Sequence, residues 1–284
     1  MLTIDMTPDI CCPTCRTGSL QLNIKSQKDN KIIEGEFHCN SCKRSYPISA
    51  GIPDFIPRGI LNMKEWDIWH KHLNGFQERR KQRISEPNRI INKLGGKSKL
   101  HEAFAQFVKI KEGKVLDVGC GPGKFRFLLG NDNITYYGLD PIVLPEVEDC
   151  RFVRALAEYI PFKDNTFSHI VIMSALDHFR KIDTFLKEAI RVLKEDGKLN
   201  IIQSIHEVQG LRSGIKMLTH WIKDILEDRA TKTKSPSVPK HLSEFTKSSL
   251  LNILSQYFKI ETFEEFDDKW YIPNKLFISL SPKI

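Results

Sequence analysis

The fold is decided by Lys114-Val-Leu-Asp-Val-Gly-Cys-Gly-Pro-Gly123. A short apolar strand runs straight into a glycine-rich turn, and the residues from Lys124 to about Leu129 read as a helix. Gly119, Gly121 and Gly123 let the backbone turn sharply and approach a ligand closely. Asp117 stands just before the turn. Downstream, Ile134-Thr-Tyr-Tyr-Gly-Leu-Asp140 reads as a second strand that ends in a carboxylate, 17 residues after Gly123. An acid at that strand end can hold both hydroxyls of a ribose.

Two cofactors fit such a unit. A dinucleotide site has Gly-x-Gly-x-x-Gly and offers a helix N-terminus to pyrophosphate. Here the spacing is Gly-x-Gly-x-Gly with an aspartate in front. A carboxylate repels phosphate but suits a cationic amino group. S-adenosylmethionine carries an ammonium and a sulfonium and no phosphate, so the pattern favours it over a nicotinamide dinucleotide.

Working outward, strand and helix signals alternate. Residues 157–173 give a loop and then a buried strand. Ile182 to Leu193 reads as a helix with one apolar side, Glu195–Lys198 as a turn, and Leu199–Ser204 as a strand. A helix over Thr246–Tyr257 and strands near Phe258–Phe263 and Lys275–Leu280 complete the expected seven-stranded sheet, with a final antiparallel hairpin. The fold class is therefore α/β: a Rossmann-like sheet with helices on both faces, preceded by a small β module.

That module carries Cys12-Pro-Thr-Cys15 and, after 23 intervening residues, Cys39-Asn-Ser-Cys42. A two-residue gap aims both thiolates of a tight turn at one ion, and two such turns supply four soft ligands for structural Zn²⁺. Leu20–Ile24 and Ile33–Phe37 alternate as the hairpin of a zinc ribbon. Cys11 adjoins the first pair and leaves open a Cys11/Cys12 register for the ligand. A module this small gains from metal what its core lacks.

The intervening segment reads as helical. Met63, Trp66, Trp69, Leu73 and Phe76 recur at three and four residues, as on one helix face. Such a helix either docks the linker on a core or covers a substrate pocket. Gly95-Gly96 breaks the pattern and Leu100–Ile110 resumes it. The expected domains are a zinc ribbon over 1–59, a helical linker or lid over 60–113, and a cofactor-binding domain over 114–284. Residues 205–245 are expected to form an insertion that covers the substrate.

Charge is localised. Of 284 residues, 43 are Lys or Arg and 35 are Asp or Glu, a net +8. Residues 76–114 hold eleven bases against four acids, whereas 115–284 are balanced. The basic stretch is either a solvated linker or a surface for a polyanion. No apolar run approaches the ~20 residues of a membrane span, and the first ten residues lack the basic-then-apolar order of a secretory signal. We expect a cytoplasmic protein with no membrane partner.

Cys-Pro-x-Cys, the second cysteine pair, and Tyr46-Pro-Ile with Gly51-Ile-Pro resemble the methyltransferase-activator zinc-ribbon family over residues 11–57. That resemblance implies a module that packs on a methyltransferase, with a protein partner as one option. Residues 114–204 resemble a class I S-adenosylmethionine-dependent methyltransferase of the ubiquinone/menaquinone-biosynthesis-like group. The matching words are Leu-Asp-Val-Gly-Cys-Gly-Pro-Gly, Gly-Leu-Asp, Ala-Glu-x-x-Pro-Phe and Arg-Val-Leu-Lys-x-x-Gly-Lys-Leu. Carried over, Asp117 holds the amino-acid end of the cofactor, Gly119, Gly121 and Gly123 form the turn, and Asp140 binds the ribose. Ala157 and Glu158 lie near the adenine, and Ser174 lines the pocket. Leu156 stands where the group often has Asp, which puts a side-chain contact to the adenine amino group in doubt.

Methyl transfer to oxygen or nitrogen needs positioning and a proton acceptor. His178, just beyond the fourth strand, is the candidate base. Asp177, His206 and His241 are weaker ones. No Asn-Pro-Pro-Tyr motif follows that strand, which argues against exocyclic-amine methylation of DNA or protein. The expected acceptor is a small molecule or glycan-like metabolite. RNA base methylation is the alternative, using the ribbon and basic linker as the RNA surface. A non-catalytic cofactor-binding scaffold is a third.

Overall fold

The computed structural model describes residues 1–16, 20–59, 71, 75, 99–130, 132–143, 150–206, 242–266 and 274–283. The expected aromatic helix face (Met63 to Phe76), Gly95-Gly96, most of the basic stretch, His241 and the interior of the 205–245 insertion lie outside these residues.

Four strands build the N-terminal module: β1 (Leu20–Lys28), β2 (Lys31–Cys39), β3 (Ser45–Ser49) and β4 (Ile52–Pro53), antiparallel and in sequence order. Its interior is aromatic. Phe55 packs at a tilt against Phe37 and Tyr46 with ring centroids 5.6 and 5.1 Å away.

The larger sheet uses β5 (Gly113–Val118), β6 (Ile134–Asp140), β7 (Arg151–Arg154), β8 (Phe167–Met173), β9 (Leu193–Ser204), β10 (Phe258–Phe266) and β11 (Lys275–Pro282). Their order is β10-β11-β9-β8-β5-β6-β7. Pairing is parallel from β7 to β9 and antiparallel for β9/β11 and β11/β10. The helices are α1 (Lys99–Val108), the single turn α2 (Arg126–Leu129), α3 (Ile182–Val192) and α4 (Lys247–Tyr257). Thr246 caps α4 in a reciprocal capping box with Ser249.

β5, β6 and β8 read as near-continuous apolar runs because helices or the ribbon shield both their faces. The expected turn at Glu195–Lys198 survives as a bulge inside β9. The β8 pairing jumps from Phe167↔Leu193 to His169↔Lys198, leaving Lys194–Gly197 unpaired with β8. β7 has only four residues, too few for a periodicity signal, and its identity as a strand comes from the ladder with β6.

The ribbon docks on the exposed edge of β7. Phe55 N–H donates to Arg154 O at 2.8 Å, and Asp54 bridges Arg154 in parallel. Ile10 bridges Phe162, with Cys11 N–H on Pro161 O (3.0 Å) and Lys163 N–H on Asp9 O (2.8 Å). An open sheet edge is thereby covered. Leu2, Met6, Phe37 and Phe55 pack in one core with Leu139, Val153 and Phe162. Charge ties the same seam. Asp9 accepts from Lys114 Nζ (2.6 and 2.7 Å) and Tyr137 OH (2.6 Å), and Arg154 pairs with Asp54 (2.6 Å). Arg16 reaches Glu188 at 2.8 Å, and Glu188 is also held by Arg191 at 2.9 Å.

Candidate functional site

In the larger sheet, chain order reverses at β5, which lies between β6 and β8. Open α/β sheets bind ligands at such a switch point, beyond the carboxyl ends of the strands. Gly119, Gly121 and Gly123 sit there with φ of 75°, 54° and 64°, all in the left-handed region. At Gly119 a Cβ would meet the Cβ of Ala175 at 2.5 Å, so the turn can lie against the end of β8 only without a side chain.

Asp117 and Asp140 flank this turn. Asp140 fixes it: Oδ2 accepts Gly121 N–H and Oδ1 accepts Ile142 N–H, both at 2.8 Å. Asp117 is 0% exposed. Tyr136 OH donates to its Oδ2, while Oδ1 has no hydrogen-bond partner among the described residues. Burial pushes its pKa up to about 7, the Tyr136 hydrogen bond opposes this, and the Asp140 charge adds to it. A buried carboxylate oxygen without a donor fits a ligand that brings one, and an ammonium group meets that need. The donor set thus suits the amino-acid end of S-adenosylmethionine.

Glu158 lies in the loop between β7 and β8. Its Oε1 accepts the N–H groups of Arg180 (2.7 Å) and Lys181 (2.9 Å), directly before α3. Burial raises its pKa and these hydrogen bonds hold it down. The carboxylate is engaged in fixing the turn after β8, while Ala157 beside it is buried.

Beyond β8, Ser174 takes φ 54°, an unusual value for serine. Its Oγ accepts from Lys275 Nζ at 3.2 Å. Leu176–His178 form a 3-10 turn. His178 is partly buried, with Nε2 at 4.0 Å from Asp177 Oδ1. The Asp177 carbonyl accepts Leu242 N–H (2.9 Å) and Ser243 N–H (3.2 Å), and His206 N–H donates to Phe245 O (2.7 Å). Both described ends of the 205–245 segment therefore return to the strand ends that hold Ser174 and His178. The His206 ring is exposed.

In the ribbon, one ligand atom from each of Cys12, Cys15, Cys39 and Cys42 lies within 4.8 Å of all the others. Cys12 Sγ is 3.6 Å from Cys42 Sγ, and Cys15 Sγ is 3.5 Å from Cys39 Sγ. A tetrahedral Zn–S₄ centre has sulfur–sulfur edges of ~3.8 Å, so the four fit such an ion. Of the two registers left open, Cys12 is the one in the cluster, and Cys11 Sγ donates to Phe162 O at 3.0 Å across the docking seam. Tyr46 OH lies 3.1 Å from Cys12 Sγ and steadies that sulfur from outside the cluster.

Sequence reasoning missed Tyr136, Ser204 and Lys275. Tyr136 sits at an ordinary inward position of β6. Lys275 reads as a charge at the mouth of an apolar strand, and only the register across β9 gives it neighbours.

The fold and the two sites define a class I methyltransferase-fold protein with an N-terminal four-cysteine ribbon. Residues 116–201 match the methyltransferase domain family, and residues 9–51 match the Trm112p-like protein family. The chain joins these two modules in one polypeptide. An uncharacterized protein of Methanocaldococcus jannaschii is 34% identical over 98 residues, 34% of this chain and 43% of that one. The ubiquinone/menaquinone biosynthesis C-methyltransferase of Azotobacter vinelandii is 28% identical over 179 residues, 63% of this chain and 60% of that one. The chain thus spans less than two thirds of the length of these curated relatives. Among solved structures, the 1,6-didemethyltoxoflavin-N1-methyltransferase of Burkholderia thailandensis, with bound 1,6-didemethyltoxoflavin and S-adenosylhomocysteine, superposes with TM-score 0.53. It is 15% identical, over 87% of this chain and 99% of that one, and shares the fold. Among the described residues, no helix is long and apolar enough to cross a membrane.

Proposed function

We propose that this protein transfers the methyl group of S-adenosylmethionine to an oxygen or nitrogen of a small-molecule or glycan-like acceptor. The observation that carries this reading is the buried Asp117 beside the glycine turn, with one carboxylate oxygen lacking a donor among the described residues. Asp117 would hold the cofactor's ammonium and Asp140 its ribose, with Ala157 near the adenine. The methyl group arrives activated at sulfonium when the cofactor is bound, so this chain contributes position and proton handling.

His178 is the residue we assign to take the acceptor's proton. It stands on the turn after β8, partly buried and close to Asp177. The 205–245 segment, anchored at Asp177 and Phe245, would cover the acceptor and set specificity. We further propose that Cys12, Cys15, Cys39 and Cys42 hold structural Zn²⁺. The ribbon stabilises the β7 edge of its own chain, in domains bounded near residues 59 and 113.

The test uses the metal-loaded protein, methyl-labelled S-adenosylmethionine and two host fractions, total RNA and small metabolites, in cytoplasmic extract. Label in the metabolite fraction supports the proposal. Nuclease-sensitive label in RNA overturns it and makes the basic 76–114 stretch a binding surface. Cofactor binding without label in either fraction leaves the scaffold reading.

A further inference from the structure

The C-terminal edge of the sheet holds a second group of polar side chains, which extends from the pocket-lining Ser174 to β9 and β11. Lys275 opens β11 directly opposite Ser204, the last residue of β9. Its Nζ donates to Ser204 Oγ and, at 3.2 Å, to Ser174 Oγ beyond β8. Ala175, next in the chain, is the residue packed against the cofactor turn at Gly119. The cluster therefore lies beside the glycine turn.

Among the described residues no carboxylate closes an ion pair with Lys275. Burial pulls its pKa down, and Asp177 on the 3-10 turn opposes this. The pKa of His101 on α1 is pulled down by burial and then by the Lys275 charge. An ammonium has three donors, and two serine hydroxyls take two of them. Each hydroxyl accepts from Lys275 and so has its own O–H to give. Among the described residues, one N–H and two O–H groups are left, all at or next to strand ends. Such a set matches a single anionic oxygen.

We propose that Lys275, Ser174 and Ser204 form a clamp for an acidic oxygen, a phenolate or carboxylate, carried by the methyl acceptor. This rests on the methyl-transfer reading for the word acceptor, while the anion site itself does not. Lys275 binds and orients that oxygen, and the ammonium favours its ionised form.

The experiment uses the full chain and 4-nitrophenol, whose absorbance reports the phenolate, with and without S-adenosylhomocysteine. At a fixed pH below the probe's own ionisation, the bound phenolate-to-phenol ratio is expected to rise ~10-fold over free probe, one pKa unit. Lys275→Gln should abolish the shift, and Lys275→Arg should keep most of it. Ser204→Ala should weaken binding while leaving a reduced shift. S-adenosylhomocysteine affinity of Lys275→Gln, by calorimetry, shows whether that variant is folded. If it is not, Lys275→Arg and Ser204→Ala carry the test.

An unshifted probe on the wild-type protein overturns the proposal. So does a shift unchanged in Lys275→Gln, or benzyl alcohol binding as tightly as the phenolate. Loss of S-adenosylhomocysteine binding in the wild-type protein would instead strike the methyl-transfer reading, because the nitrophenol shift is read without it.

Discussion

Asp117→Asn is expected to stabilise the ligand-free protein and at the same time strip it of affinity for S-adenosylhomocysteine. The carboxyl group is 0% exposed, and its pKa lies near 7 against an ordinary 3.8. The unfolded chain therefore gives up this proton at lower pH than the folded one. Between pH 4 and 7 the folded state binds more protons, so stability falls as pH rises through that window. Above pH 7 the full penalty is present, and a shift of three units corresponds to ~4 kcal/mol. Asparagine carries no charge to bury and still offers an oxygen to Tyr136, so Asp117→Asn should gain ~2–4 kcal/mol at pH 8 and almost nothing at pH 4. The same change removes a charge-assisted contact to the ligand's ammonium, worth ~1.5–3 kcal/mol, or roughly 10- to 150-fold in Kd. Urea unfolding at pH 4, 6 and 8, paired with calorimetric titration of S-adenosylhomocysteine at pH 8, reads both effects. A variant less stable than wild type at pH 8, or one with unchanged affinity, refutes the reasoning. In the wild-type protein, binding should weaken as pH falls below about 7, because the ligand's ammonium needs the ionised carboxylate.

Four further outcomes are expected. Gly119→Ala should cost ~3 kcal/mol and abolish cofactor binding, since φ is 75° and the new Cβ meets Ala175 at 2.5 Å; thermal melting and S-adenosylhomocysteine titration check it. Removing metal by chelation, or Cys39→Ser, should lower the melting of the whole chain in a single transition, because ribbon and larger sheet share one core; zinc content near one per chain accompanies the intact transition. Asp9→Ala should cost ~2–3 kcal/mol by leaving the Tyr137 hydroxyl and Lys114 ammonium without their shared acceptor, and limited proteolysis should then cut between ribbon and sheet. Glu158→Ala should destabilise by a similar ~2–3 kcal/mol through the two orphaned N–H groups before α3. In its denaturation curves the midpoint should move at an unchanged slope.

Most of the fold was legible because its signals are local. Apolar runs of strand length, the glycine turn and a strand-end aspartate identify β5, α2 and β6 within 28 residues of sequence. The cysteine pairs do the same for the ribbon, since a metal-binding turn is a short-range object. β7 was not legible: four residues carry no period, and pairing with β6 and with the ribbon makes it a strand.

By itself, then, the sequence determined the two modules, the glycine turn with Asp117 and Asp140, and the two cysteine pairs. Each depends on residues close in the chain, where backbone conformation and spacing suffice. Tertiary structure alone decided that Cys11 faces Phe162, that Glu158 ties down Arg180 and Lys181, and that Tyr136 meets Asp117. It also brought Lys275 to Ser174, 101 residues away. Those contacts join strand ends and loops far apart in sequence, and their partners follow from sheet order and register, which local pattern does not encode.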